Sequence, residues 1–456
     1  MTQDQALDIM RLGKNVFLTG AAGSGKSFLV KKYINYLKKN NVRVAVTAST
    51  GIAATQIDGR TIHSWSGIGI NDSLTDADLS KLIFRNQVRE RVANTKVLII
   101  DEISMLGAHV LDLVDRVCKK LRRSNESLGG LQVILCGDFF QLPPIPNRES
   151  GAAVKFAFES DAWKTGNFVT CYLDKQYRQT DDRYLDILNS IRHKNITNEV
   201  LSMLFSRHGK SINYVKKPTK LYTHNVDVDA INTMELATIK AKPVLYQMRT
   251  KGDPKLVQFL KKYCLVPEQL ELKKGAAVMF VQNNQAKGYV NGTLGTVINF
   301  DEDDNFPIVK TMSGQKVFAK TGSWKVEEDD KVLAEIVQVP LRLAWAITIH
   351  KSQGMSLDAA EIDLSKAFAE GMGYVALSRV RTLAGIKLVG LNKMALSVHD
   401  EITALDCDFK AQSAAGVKNL LSMELKQKKN IIKNFIDNNK TAQEEDEEIE
   451  ASDTPF

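Results

Sequence analysis

No apolar run in the 456 residues approaches the length of a membrane span, and the N-terminus lacks the pattern of a secretory leader. The expectation is an intracellular protein with no membrane partner. Clustered cysteine is also missing. The five cysteines, Cys118, Cys136, Cys171, Cys264 and Cys407, lie far apart, with no CxxC pair and no Cys/His cluster. That argues against zinc and against disulfides, and predicts buried free thiols. The last fifteen residues, AQEEDEEIEASDTPF, contain no Lys or Arg and hold seven acids. Without them 46 acids face 61 bases, so the rest of the chain carries +15 where the whole carries +8. A basic body predicts a polyanionic partner.

The composition that remains is that of an ordinary globular protein, 44% apolar and 25% charged, in a chain too long for one core. The first half alternates short apolar runs with helical spacing. NVFLTG (15–20), VRVAVTAS (42–49), KVLIIDE (96–102) and LQVILCGD (131–138) read as strands, and KSFLVKKYINYLKK as a helix. Strands alternating with helices predict an α/β fold with a doubly wound parallel sheet. A first domain is assigned to 1–173, with a small insertion at about 66–95, where apolar periodicity is weak. KLYTH (220–224) and IKLVG (386–390) read as strands of a second α/β domain, 174–239 plus 339–411. The β-rich stretch 240–338, with Asn291-Gly292 as a tight turn, reads as a small inserted barrel. A Lys-rich helix is assigned to 412–440, and a disordered acidic tail to 441–456.

GAAGSGKS (20–27) fits the phosphate-binding loop GxxxxGK[ST], after a strand and before a helix. Backbone amides around Gly20, Gly23, Ser24 and Gly25 cradle phosphates at a helix N-terminus. Lys26 reaches the β/γ-phosphates and Ser27 binds Mg²⁺. Asp101 and Glu102 end an apolar strand, where an Asp holds the Mg²⁺ and the adjacent Glu polarises the attacking water. In GDFFQLPP (137–144), two prolines end any regular structure after the strand. Gln141 therefore sits on a stiff loop at a strand tip, facing the γ-phosphate, with Phe139 and Phe140 as packing residues. Arg178 and Arg379 supply positive charge to the same phosphate from a second domain.

Nine stretches stand in the order seen in superfamily-one helicases. They are FLTGAAGSGKS, VAVTASTGIAA, TIHSWSGIG, LIIDEISML, GDFFQLPP, LDKQYRQ, YVNGTLG, ITIHKSQGMSLD and GYVALSRVR. Over roughly residues 3–390 the chain most resembles the petite-integration-frequency (PIF) helicase family, and more distantly RecD and Dda. LDLVDRVCKKLRRSNESLGGLQ (111–132) resembles that family's own signature, with Leu128 where an aromatic is usual. Trp65 stands where Phe is usual. The resemblance implies two RecA-like domains with ATP between them and an inserted SH3-like barrel. It supports the roles above, sets Gly354 near the nucleotide, and assigns adenine to an upstream glutamine, Gln3 or the nearby Gln5. It implies single-stranded DNA across both domains, with Thr47, Ser49, Thr50 and His63 on one side and Thr348, His350, Lys351 and Ser352 on the other. It also implies forked duplex DNA as substrate and work in DNA replication, repair, recombination and telomere maintenance; as a departure from the family, the chain is expected to lack a long N-terminal extension and the functions carried there.

These readings converge on an ATP- and Mg²⁺-dependent DNA helicase, with a 5′ to 3′ direction taken from the resemblance. Two rivals stay open. One is a translocase that strips proteins from single strands, and the other is an ATP-switched DNA-binding protein that hydrolyses rarely. For the tail, the tip Asp453-Thr454-Pro455-Phe456 resembles the acidic tip of bacterial single-stranded-DNA-binding proteins and suggests a replication or repair partner. A tail that folds back on the basic groove is the alternative.

Overall fold

Apolar runs without alternation belong to strands buried on both faces. In the computed structural model, β1 (Val16–Gly20), β2 (Val44–Ala48), β3 (Arg60–Thr61), β4 (Val97–Asp101), β5 (Gln132–Cys136) and β6 (Val169–Leu173) form one sheet in the order β3-β2-β4-β5-β1-β6. All its pairings are parallel, and every residue of β1, β4 and β5 is buried. Residues 1–441 are described apart from 70–72, 145–154, 211, 213–217, 265, 283, 285–286, 290 and 329–330. The acidic tail, with its tip Asp453-Thr454-Pro455-Phe456, lies outside the described residues. Alternate strand residues feed two cores. Val16, Leu18 and Ile99 meet the helices Gln3–Arg11 and Lys26–Lys39. Phe17, Leu98 and Ile100 meet the helix Ala108–Arg122.

β7 (Thr219–Tyr222) opens a second sheet. It is followed by β8 (Val244–Gln247), β9 (Arg249–Gly252), β10 (Gln269–Leu272), β11 (Ala277–Phe280), β12 (Leu294–Phe300), β13 (Pro307–Thr311), β14 (Lys316–Phe318), β15 (Gly322–Glu328), β16 (Lys331–Gln338) and β17 (Leu341–Leu343). These ten strands make three antiparallel sheets, β10-β8, β14-β13-β12-β11-β17 and β15-β16-β9. Leu270, Val278, Phe280 and Val309 give this part a core of its own. β18 (Ala346–Thr348), β19 (Ala360–Leu364) and β20 (Ile386–Leu391) then complete the second parallel sheet, β18-β7-β19-β20.

Within the insertion at about 66–95 the described residues include the helices Asp76–Phe84 and Asn86–Asn94. The signal there is a capping box between Thr75 and Asp78 rather than periodicity. Three expectations are corrected. The single helix over 412–440 is two, Asp400–Ser422 and Leu425–Asn439, separated at Met423-Glu424. The first of them begins inside the stretch assigned to the second domain, yet packs on β6 of the first sheet. Thr170 Oγ1 donates to Gln412 Oε1 at 2.7 Å and Tyr172 N to Ser413 Oγ at 3.1 Å. Finally, Cys407 on that helix is exposed, while the other four cysteines are buried and all five are free.

Candidate active site

Strand order builds the site. β5 lies between β1 and β4, so the loops after all three strands leave the same sheet edge side by side. After β1 the chain turns through Gly20, Gly23 and Gly25 at φ of 144°, 84° and 84°. A Cβ on Gly23 would stand 2.6 Å from Arg178 Cβ, and one on Gly25 would collide with Gln3 Nε2. The left-handed backbone demands glycine at both positions, and at Gly23 the space does too. The helix Lys26–Lys39 starts at once, and no side chain caps its first turn. Its free amides are donors for an anion. Lys26 Nζ donates to Gly20 O at 2.8 Å and Ala21 O at 3.2 Å. Gln3 Nε2 donates to Ser24 O at 3.2 Å, whereas Gln5 is spent on capping its own helix at Thr2. The structure thus sets Gln3, not Gln5, against the loop.

A cleft of about 730 Å³ opens here between the two parallel sheets, lined by Gly23, Ser24, Gly25, Lys26 and Ser27 from the first side and by Gly354 and Arg379 from the second. Glu102, Gln141 and Arg178 line it too. Residues spread over most of the chain are thus brought to one place. Asp101 lies behind Glu102, 6% exposed, and its Oδ1 accepts from Glu102 N at 2.9 Å. Burial raises the Asp101 carboxyl above its ordinary value, against the pull of a Cys136 hydrogen bond and of Lys26. Burial, and then Asp101, push Glu102 up to about 7, with Lys26, Arg379 and Gln353 pulling the other way. Glu102 itself sits at φ 52°, ψ 46°, left-handed backbone that a glutamate seldom adopts.

Gln141 is 5% exposed at the seam. Its amide N donates to Asp138 O at 2.9 Å and its Nε2 to Asp138 Oδ2 at 3.4 Å. Phe139 and Phe140 are both buried. Beneath the loop, Arg192 donates from Nη1 to both Asp138 oxygens at 2.8 and 2.7 Å and to Tyr374 OH at 3.1 Å. It also stacks on Phe140 at 4.0 Å. Burial alone would raise the Asp138 carboxyl, but Arg192 and Lys26 outweigh it and hold it below the ordinary range. Tyr374 OH accepts from Ala22 N at 2.9 Å, so this polar core reaches from the phosphate loop to the helix Met372–Ser378. Arg379 follows that helix, 1% exposed, with Nη2 on Ser378 Oγ at 2.8 Å. Arg178 Nη1 donates to Ser378 O at 3.1 Å. Burial, and then Arg178, pull the Arg379 guanidinium below its usual value.

The eight strand-contact candidates divide. Thr47 is fully buried and donates to Ile99 O at 2.6 Å, and Ser352 is fully buried with its hydroxyl on Ile349 O at 2.7 Å. Thr348 is 4% exposed within β18. The hydroxyls of Thr47 and Ser352 are thus bonded to backbone carbonyls, and Thr348 is buried within its strand. Ser49 is nearly buried, with Oγ on Glu102 O at 2.8 Å. Thr50, His63, His350 and Lys351 are partly exposed. Burial, and then Lys351, lower His350; burial, and then Arg342, lower Lys351 to about 8.

Several residues were missed. Gln353 Nε2 donates to Glu102 Oε2 at 2.9 Å and to Gln141 Oε1 at 3.5 Å. The turn Asn291–Gly292 with Thr293, within the stretch YVNGTLG, lines the cleft. Phe368, 55% exposed, packs its ring between His224 at 5.0 Å and His350 at 6.1 Å. An isolated aromatic outside any motif gives no sequence signal. Arg192 and Tyr374 form the seam, and only Tyr374 stood in a motif, GYVALSRVR.

Comparison with known proteins agrees with this geometry. A sequence model of the PIF1-like helicase family matches residues 3–210, and one of the 2B domain of DNA helicase Pif1 matches 255–300. The ATP-dependent DNA helicase Pif1 of Psychrobacter sp. (strain PRwf-1) is 44% identical over 468 residues, covering 90% of this chain and 71% of that protein. The crystal structure of Pif1 helicase from Candida albicans superposes with a TM-score of 0.83 at 35% identity, over 89% of this chain and 98% of that one. Pif1 helicase from Bacteroides, solved in complex with ADP-AlF3 and ssDNA, gives 0.74 at 32% identity over 91% and 97%. With its phosphate loop, acid pair and paired arginines converging on one cleft, the chain belongs to the PIF1-like helicase family.

Proposed function

We propose that this chain is an ATP-dependent DNA helicase that hydrolyses ATP between its two parallel sheets and moves 5′ to 3′ along single-stranded DNA, opening forked duplexes. The observation that carries the proposal is the single cleft that Lys26, Glu102, Gln141, Arg178, Gly354 and Arg379 share although they come from distant parts of the chain. In this reading Lys26 leaves its loop carbonyls for the β/γ-phosphates, and Gln3 reads the adenine. Glu102 polarises the attacking water, and Gln141 reports the γ-phosphate to the seam. Arg178 and Arg379 offset the charge that builds on the transferred phosphoryl. The Ser27 hydroxyl and the Asp101 carboxylate would hold Mg²⁺ as hard oxygen donors, and the ion would supply positive charge to the phosphates. Among the described residues no cluster of three His, Cys, Asp or Glu side chains could hold a metal alone. That suits an ion carried in on phosphates.

The single strand runs over Ser49, Thr50 and His63 on one sheet and His350 and Lys351 on the other, with Phe368 as a stacking face. The helices at 76–94 and the antiparallel insertion flank the strand and part the duplex. The Bacteroides neighbour, captured with ADP-AlF3 and ssDNA, supports this pairing of ligands. The test is ATP turnover with and without single-stranded DNA. Strong stimulation is expected; equal turnover in both would overturn the proposal.

A further inference from the structure

We propose that Gln353 is a positioning residue that holds the Glu102 carboxylate until single-stranded DNA engages the turn His350–Ser352, and so ties strand binding to ATP turnover. The inference rests on the reading of Glu102 as the hydrolytic group and of that turn as a strand contact. Glu102 ends the first sheet's β4, while Gln353 follows the second sheet's β18. Their hydrogen bond, 2.9 Å from Nε2 to Oε2, crosses the seam. The same Nε2 lies 3.5 Å from Gln141 Oε1, so one amide spans both groups that face the γ-phosphate.

The turn behind Gln353 is tightly tied. Gln353 N donates to His350 O at 3.4 Å, and Ser352 donates to Ile349 O from both N and Oγ, at 3.1 and 2.7 Å. A shift of His350 or Lys351 toward a phosphate therefore carries Gln353 with it. On the opposite side Ser49 N and Oγ hold Asp101 O at 3.1 Å and Glu102 O at 2.8 Å. Each sheet's strand-contact segment thus touches the acid pair. The contact from the first sheet is to backbone and fixes the chain. The contact from the second is to the carboxylate, and an N–H donated there makes the carboxylate a weaker base toward the attacking water. Gln353 does not touch the reacting atoms. Its role is to set when Glu102 does.

The experiment measures ATP turnover of the full chain, without DNA and at saturating single-stranded DNA, for wild type, Gln353→Ala, Gln353→Met and Glu102→Gln. Both Gln353 variants lose the donor, and the Met variant keeps the length of the side chain if the Ala variant folds poorly. The expected result is a rise in DNA-free turnover of about tenfold, the scale of one hydrogen bond to a charged group, with the DNA-saturated rate nearly unchanged. The stimulation ratio then falls by the same factor. A ratio that stays at the wild-type value overturns the proposal. So does a ratio that falls because the DNA-saturated rate drops, which would make Gln353 a plain catalytic contact. Normal hydrolysis by Glu102→Gln, or a wild type that DNA does not stimulate, overturns the underlying site reading, and the link with it.

Discussion

At the scale of residues, the cleft brings Lys26, Arg178 and Arg379 together with Glu102. Arg379 is 1% exposed, and burial and Arg178 both act against its charge. A guanidinium remains charged at neutral pH, and in the proposed function that charge serves the transferred phosphoryl group. Arg379→Ala is expected to slow DNA-stimulated turnover on the order of 10³-fold or more, with little change in nucleotide affinity, as for other arginine fingers. Steady-state kinetics checks this, and near-normal turnover would move the finger to Arg178. Lys351 makes a prediction about pH. Its ammonium faces Arg342, Asp229, His350 and Asn225 Oδ1, which accepts from it at 3.3 Å. Burial and Arg342 lower it to about 8. It is charged below that value and neutral above, so single-strand affinity is expected to fall as pH rises from about 7 to 9, and the salt slope to shrink by about one phosphate contact. Lys351→Met should abolish that pH dependence in an affinity titration; a variant that keeps it contradicts the contact.

At the scale of elements, the glutamine loop and the phosphate loop are held by one buried pair. Arg192 and Asp138 are 3% and 1% exposed, and Arg192 is anchored on Tyr374 and Tyr172 as well. Arg192→Leu strands a buried carboxylate, at a cost of about 3–5 kcal/mol. A large fall in melting temperature is expected, and partial recovery in the double variant with Asp138→Asn. What could be read in advance follows the same physics. β1, β4 and β5 were legible because strands buried on both faces leave apolar runs. The phosphate loop and the acid pair were legible because their chemistry fixes spacing along the chain. The helices at 76–94 were not, since only Leu79, Leu82 and Val92 are buried and the start signal is a cap. Gln353 was not, because a neutral amide between Ser and Gly gains meaning only when folding sets it across a seam. The bonds from the Thr47 and Ser352 hydroxyls to neighbouring carbonyls were not legible either, because a hydroxyl in sequence does not reveal its partner.

At the scale of the molecule, two parallel sheets close on one cleft, and the chain's last helices return to the first sheet. Phe409 meets Phe17 edge to face at 5.2 Å, and Thr441 N donates to Asn41 O at 2.9 Å. The first sheet is thereby braced from behind. If ATP closes that cleft and hydrolysis reopens it, chemistry and movement must fail together. Lys26→Ala is expected to lose hydrolysis while binding single-stranded DNA nearly as wild type does, because its charge serves the phosphates and not the strand. The most direct measurement is strand displacement on duplexes that carry a single 5′ or 3′ tail, with wild type and Lys26→Ala, with ATP and with a non-hydrolysable analogue. The account predicts displacement only by wild type, only with ATP, and only from the 5′ tail. Displacement by Lys26→Ala, displacement with the analogue, or preference for the 3′ tail would contradict it.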